Sequence, residues 1–328
     1  MRRTLENKSA LTVEGLTKYY NSFLAVDHIH FQVRRGEIFG FLGPNGAGKT
    51  TTIRMLCGLI TPSDGKANIM GFDIQKETVE VKRRIGVVPE ISNLYEELTS
   101  FENLVFMGQL YGVPKSHLGK RAEELIQLIR LEGKKDALFS ALSKGMKRNL
   151  TIAAALVHDP PLIFLDEPTS GLDVVNSRNL RTMIRQFNQR GTTIFLTTHN
   201  IEEANLLCHR IAVIVKGKII AVDTPEALKK SVQEKSMVEL GMENPNLPDL
   251  LDSIKAFDGV DTVSRRQGRF VIGFKGGPPW GSFLQYLQER GVSVTSVNTL
   301  QPTLEDAFVK ITGLDREIMM MEKEGKKG

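Results

Sequence analysis

The sequence predicts an α/β chain, a domain built on a parallel sheet followed by a smaller α+β domain. Short apolar runs such as LIFLD (162–166) and TTIFLTT (192–198) alternate with longer amphipathic stretches over most of the chain. That alternation is the one that builds parallel strands with crossover helices. Beyond about residue 230 the order changes to strand, helix, strand, strand, helix, strand. A length of 328 residues with 41% hydrophobic residues suits two globular domains.

Residues 11–42 alternate as strands, with Arg35-Gly36-Glu37 as a turn between two of them. A glycine-rich loop at 43–48 leads into a helix over 49–58 that stops at Gly58. KANIMG (66–71) and IGVV (85–88) read as strands flanking a charged helix, KETVEVKRR (76–84). Residues 99–131 are helical, interrupted at Gly112-Val113-Pro114, and 144–157 form another helix ended by Asp159-Pro160-Pro161. LIFLD is apolar to its last residue, as a strand buried on both faces must be. A helix (174–190), the strand 192–198, a helix (201–208) and the strand RIAVIVK (210–216) complete a first domain placed at 1–230. KKSVQEKS is a polar linker. The second domain, 231–315, reads as strand 237–241, helix 248–256, strands 259–265 and 269–274, helix 281–290 and strand 292–299. This β-α-β-β-α-β order is ferredoxin-like, and an amphipathic helix, PTLEDAFVKIT (302–312), closes it. Trp280 reads as a core anchor of that domain. Residues 316–328 are expected to be a flexible tail, with Met319–Met321 as a frayed helix end.

The longest unbroken apolar runs, Ile152–Val157 and Ile211–Val215, are far short of the ~20 residues of a membrane helix. The opening MRRTLENKSA has no apolar core of a secretory signal. Cys57 and Cys208 read as reduced core thiols. Net charge is 43 − 38 = +5. No run of Lys and Arg interleaved with aromatics marks a nucleic-acid surface, so no nucleic acid is expected as partner.

GPNGAGKT (43–50) fits G-x-x-x-x-G-K-[ST], with a strand before it and a helix after it. The backbone of Gly43, Pro44, Asn45, Gly46, Ala47 and Gly48 can wrap a phosphate, and the helix N-terminus adds a positive dipole. Lys49 reaches the β- and γ-phosphates, the Thr50 hydroxyl suits Mg²⁺, and Thr51 touches the α-phosphate. LIFLDEP (162–168) ends an apolar strand in Asp166, which places one carboxylate beside the Mg²⁺ site. Glu167 follows, where it can polarise a water for attack on the γ-phosphorus. ATP and Mg²⁺ are the implied substrate and cofactor.

Other P-loop ATPases share these two elements. LSKGM (142–146) sets this chain apart, because it resembles the LSGGQ signature of ATP-binding-cassette ATPases. SGLD (170–173) resembles that family's D-loop, which brings in Asp173 as an ATP contact. His199 in TTH resembles its switch histidine, and Tyr20 stands where an aromatic stacks on adenine. The loop beginning at Pro89-Glu90 falls where the family has its Q-loop. The resemblance covers residues 11–225. It implies a P-loop cassette with a parallel core sheet, an antiparallel β subdomain and a helical subdomain. Two cassettes would sandwich two ATPs head to tail in a homodimer, so that Ser143 and Gly145 contact the γ-phosphate held by the other chain. His199 would hold the attacking water. Glu90 replaces a metal-binding glutamine and is expected to remain an ionised Mg²⁺ ligand. Lys144 and Met146 replace Gly and Gln of the commonest signature. SKGMK-type signatures and the ending PTLEDAFVKITG (302–313) resemble the ABC-2-type, daunorubicin-resistance-like exporters. The implied partners are separate ABC-2-type permease subunits. The implied place is the cytoplasm, peripheral on the inner face of the cell membrane. The alternative is a non-transport cassette ATPase acting on ribosomes or DNA, but such proteins carry two cassettes in one chain or a long coiled-coil insertion.

Overall fold

The computed structural model describes residues 9–233, 236–243, 250–266 and 268–314; the expected tail at 316–328, with Met319–Met321, lies outside the described residues. The chain forms two compact units, one running to Pro225 and one over Glu226–Ile311. In chain order the first unit contains β1 (Ser9–Tyr20), β2 (Phe23–Arg34), β3 (Ile38–Leu42), α1 (Lys49–Leu56), β4 (Asp64–Ile69), β5 (Phe72–Asp73), α2 (Thr78–Lys82), β6 (Ile85–Val88), α3 (Ser100–Leu110), α4 (Lys115–Leu128), α5 (Lys144–Ala155), β7 (Leu162–Asp166), α6 (Val174–Gln189), β8 (Thr193–Thr198), α7 (Ile201–Leu207), β9 (Arg210–Val215) and β10 (Lys218–Asp223).

Two sheets organise this unit. One is antiparallel, in the order β2-β1-β4-β5; the other has six strands in the order β10-β9-β3-β8-β7-β6. Strands β9, β3, β8, β7 and β6 are mutually parallel. The edge strand β10 is antiparallel to β9, and the sequence reading did not anticipate it. It is the return arm of a hairpin turned at Lys216 and Gly217, whose φ values of 48° and 79° are the left-handed pair that a tight hairpin requires. Every residue of β3, β7 and β8 is buried, which explains why these segments carry no polar alternation. Phe31 of β2 packs on Phe39, Phe41 and Phe195 with ring centroids 5.5–5.9 Å apart. This aromatic contact joins the antiparallel sheet to the central one, at about 0.5–1.5 kcal/mol per ring pair beyond simple burial.

Helices α3, α4 and α5 pack on one another and form the helical layer, with Leu104, Leu118, Leu125 and Leu150 buried. Thr99 caps α3 in a reciprocal box with Glu102. Cys57 and Cys208 are free and buried, as expected.

The second unit carries α8 (Pro225–Ser231), β11 (Ser236–Met242), α9 (Leu250–Lys255), β12 (Val260–Arg266), β13 (Arg269–Phe274), α10 (Trp280–Gln288), β14 (Val294–Leu300) and α11 (Leu304–Thr312). Its sheet runs β12-β13-β11-β14, with every neighbouring pair antiparallel. That order is what a β-α-β-β-α-β chain gives when both crossovers are right-handed. Val238, Leu240, Phe270, Ile272, Phe274, Phe283 and Leu287 form its core, and Trp280 packs against it.

Candidate active site

Strands β3, β8 and β7 are neighbours, and their carboxyl ends are level. Leu42 pairs with Thr198, and Asp166 with Thr197. Beyond the pairing, Gly43 N–H donates to the Thr198 carbonyl and Glu167 N–H to the Thr197 carbonyl, each at 3.2 Å. Three loops therefore leave the sheet side by side at its carboxyl edge, where open α/β sheets place their sites.

The first loop is 43–48. Its crest, Asn45 and Gly46, is exposed. Ala47 anchors it, with its N–H on the Pro44 carbonyl at 3.2 Å and its own carbonyl on Gly217 N–H at 3.0 Å. Gly48 caps α1 with φ at 101°, and a Cβ there would stand 2.6 Å from the Ala25 carbonyl oxygen, so only glycine fits. The first intrahelical bond runs from Thr52 N–H to Gly48 at 2.9 Å. The N–H groups of Lys49, Thr50 and Thr51 precede it and are available to an anion on the helix axis.

Lys49 is buried, and its ammonium donates to the Gly43 and Pro44 carbonyls at 2.8 and 3.1 Å. It also lies 3.2 Å from Glu167 Oε1. This contact is one of charge, since Oε1 accepts no hydrogen bond. Glu167 Oε2 lies 2.8 Å from His199 Nδ1. Burial alone would raise the Glu167 pKa, but the His199 hydrogen bond and the Lys49 charge outweigh it and hold the carboxyl below its ordinary 4.5. The same hydrogen bond raises the His199 pKa above 6.5 against its own desolvation. Glu167 adopts φ of 46°, a strained value for a side chain of this size. The turn it makes is what swings the carboxylate from the strand axis toward His199 and Lys49. Asp166 accepts from Thr197 Oγ1 and lies 3.4 Å from Thr50 Oγ1. Thr50 and Asp166 thus present two hard oxygen donors to one point, a set suited to Mg²⁺.

Lys49, Thr50, Asp166, Glu167 and His199 are therefore brought together. Ser143 and Asp173 form a second pair of helix starts. Ser143 caps α5 and accepts from Met146 N–H at 3.3 Å, which leaves its exposed hydroxyl proton free to donate outward. Gly145 packs on α6: a Cβ there would stand 2.7 Å from Asn176 Oδ1. Asp173 caps α6 and accepts from Asn176 N–H at 2.8 Å, and that bond holds its pKa below the ordinary 3.8. Among the described residues no hydrogen bond or ion pair links Ser143, Gly145 or Asp173 to the Lys49–Glu167–His199 cluster. Tyr20 stands apart at the exposed end of β1, with Lys18 over its ring. Glu90 also stands apart. Its side chain is exposed, and only its backbone carbonyl is engaged, by Arg148.

Residues 26–170 match the family model described as "ABC transporter". The chain is 34% identical to the linearmycin resistance ATP-binding protein LnrL of Bacillus subtilis, over 92% of this chain and 98% of that one. It is 37% identical to the daunorubicin/doxorubicin resistance ATP-binding protein DrrA of Streptomyces peucetius, over 93% of this chain and 92% of that one. The chain belongs to the ABC transporter family. Among solved structures, a dimeric ATP-binding cassette in a post-hydrolysis state, bound to ADP and Pi, aligns over 65% of this chain and 98% of its own. The identity is 25% and the TM-score 0.60. The first unit is thus an ABC ATP-binding cassette, and the chain is an ATPase of this family.

Three residues around this ABC cassette site escaped the sequence reading. Thr197 orients Asp166. Arg148 of α5 is buried and donates to both loops that flank the site. Glu203 of α7 is only 1% exposed, and neither carboxylate oxygen accepts a hydrogen bond of normal length. Burial pushes its pKa above 4.5; the hydroxyls of Thr198 and Thr169 offset part of that and the Glu167 charge adds to it. A carboxyl that is protonated in the fold and ionised in the unfolded chain costs stability as pH rises above the unfolded value. Glu203→Gln should therefore leave thermal stability near pH 4 unchanged and raise it at pH 7–8. Melting temperatures of the two proteins across pH 4–8 test this; parallel curves would show that Glu203 is not held protonated.

Proposed function

We propose that this ABC ATPase drives an exporter of the ABC-2 type, as a head-to-tail homodimer on the inner face of the cell membrane. The observation that carries the reading is the convergence of Lys49, Thr50, Asp166, Glu167 and His199 at three adjacent strand ends. The loop amides and Lys49 take the triphosphate. Thr50 and Asp166 would hold Mg²⁺, which would supply positive charge against that developing on the phosphates during transfer. Glu167, ionised by His199 and Lys49, takes a proton from the attacking water. His199 fixes Glu167 from one side and presents its other ring nitrogen to the γ-phosphate. Ser143, with the amides at the start of α5, supplies the outer wall of the partner's site, because a helix start with a free hydroxyl proton favours an anion. Asp173 sits beside it, and Tyr20 offers its exposed ring to the base. Residues 231–315 form the accessory domain.

The relatives are named as ATP-binding proteins of resistance, and a transporter of this class needs transmembrane chains as partners. No helix among the described residues is long and apolar enough to cross a membrane. Phosphate release by the purified chain should require Mg²⁺ and rise more steeply than linearly with protein concentration, as a two-chain site demands. A tagged copy drawn from detergent-solubilised membranes should bring down a polytopic membrane protein. Ribosomes in its place would favour the non-transport alternative.

A further inference from the structure

Arg148 is a buried cation, and among the described residues no carboxylate oxygen is bound to it. It is 7% exposed, and burial pulls its pKa down, while the charges of Asp166, Glu203, Glu90 and Glu167 work in the opposite direction. A guanidinium has five N–H donors in a rigid fork. Here five backbone carbonyls receive them. Nε donates to Pro168 at 2.9 Å, and Nη2 to Asp166 and Glu167 at 2.8 and 3.2 Å. Nη1 donates to Pro89 and to Glu90, the latter at 3.2 Å. Three of these carbonyls run from the end of β7 into the turn after it, and two belong to the loop after β6.

We propose that Arg148 is a positioning residue that locks the Glu167 turn, the 89–90 loop and the start of α5 into one rigid piece. The inference rests on Glu167 acting as proposed above. The carbonyl of Glu167 is fixed by Arg148 and its N–H by Thr197, at 3.2 Å to the carbonyl and 3.1 Å to the hydroxyl. Both flanks of the strained φ are therefore pinned through the backbone, which leaves the carboxylate to His199 and Lys49. The loop is tied to α5 a second time, through Ser92 and Thr151 hydroxyls 2.6 Å apart. Arg148 lies five residues after Ser143 on the same helix, so movement of the 89–92 loop reaches the signature and Glu167 together. A lysine, with three donors and no fork, can hold only part of this set.

The test compares the full-length wild-type chain with Arg148→Met and Arg148→Lys, each alone and combined with Glu167→Gln. Arg148→Met should lower kcat by about 100-fold, as expected of a misplaced reacting group. Its ATP Kd should stay within about threefold, since the loop amides and Lys49 are untouched. Arg148→Lys should fall between the two, and it remains informative if Arg148→Met does not fold. In the Glu167→Gln background, either change should lower the residual rate by less than about threefold, because both act through one carboxylate. A merely structural role would multiply the two losses and weaken ATP binding as well. Multiplied losses, a parallel loss of affinity, or a normal kcat in both Arg148 variants would overturn the proposal. Absence of turnover in the wild-type chain would instead overturn the ATPase roles on which it rests.

Discussion

Replacing Glu167 by glutamine should lower ATP turnover by about 100-fold or more, the usual worth of a positioned general base. ATP affinity should hold or rise. In the wild-type chain the Lys49 ammonium is 3.2 Å from Glu167 Oε1, and a neutral amide releases that charge to the triphosphate. The shape of the turn should survive, because it is held by backbone bonds from Thr197 and Arg148 rather than by the carboxylate. With hydrolysis blocked, the ATP-bound dimer should accumulate. Size-exclusion chromatography with Mg-ATP and a fluorescent-nucleotide titration measure the two effects. Undiminished phosphate release would remove Glu167 from the role of base.

Mixing two dead variants should revive activity. Ser143→Arg places a long cation at the cap of α5 and should destroy the outer wall proposed for the partner's site. Lys49→Ala removes the phosphate-binding ammonium from the chain's own site. Each alone should lose nearly all turnover, since every site in either homodimer carries a lesion. In the mixed dimer one site carries both lesions and the other carries neither. Random exchange would then restore roughly a quarter of the wild-type sites. Native mass spectrometry establishes that the mixed dimer forms. If it forms and stays inactive, the site is not shared between chains.

The parts of the site legible in the sequence were those whose chemistry fixes residue type at fixed spacing. The loop 43–50 was one, because its turn needs glycine where φ is 101° at Gly48. The apolar strand ending in Asp166 was another. Arg148 was hidden because arginine on a helix usually marks solvent. The signal was present: Arg148 falls at i+3 from Gly145 and four before Ile152, both buried, so it sits on the core face of α5. Glu203 was hidden in the same way, next to Ala204 and four before the buried Leu207. The strand β10 carries little signal in the sequence because KIIAVD is short and none of its residues is buried, although Lys216-Gly217 is a legible turn. The placement of Glu90 could not come from sequence at all. Its residue type allows a metal ligand, whereas the direction of its side chain depends on a loop whose carbonyls are held by Arg148.

The strand order of the central sheet also dictates how the chain must be born. Phe39 of β3 pairs with Phe195 on one side and Arg210 on the other, partners roughly 150 residues further on. At ~5–20 residues per second of synthesis, β3 waits on the order of ten seconds for its neighbours. During that interval Phe39 and Phe41 have the earlier β1–β2 hairpin, with Phe31, and the α1 residues Ile53, Met55 and Leu56 of the same core to cover them. The phosphate loop that follows β3 is likewise held open until the Thr198 carbonyl arrives to receive Gly43 N–H. The Gly43 end of the phosphate loop therefore cannot be anchored before the eighth strand, which carries Thr198, has left the ribosome.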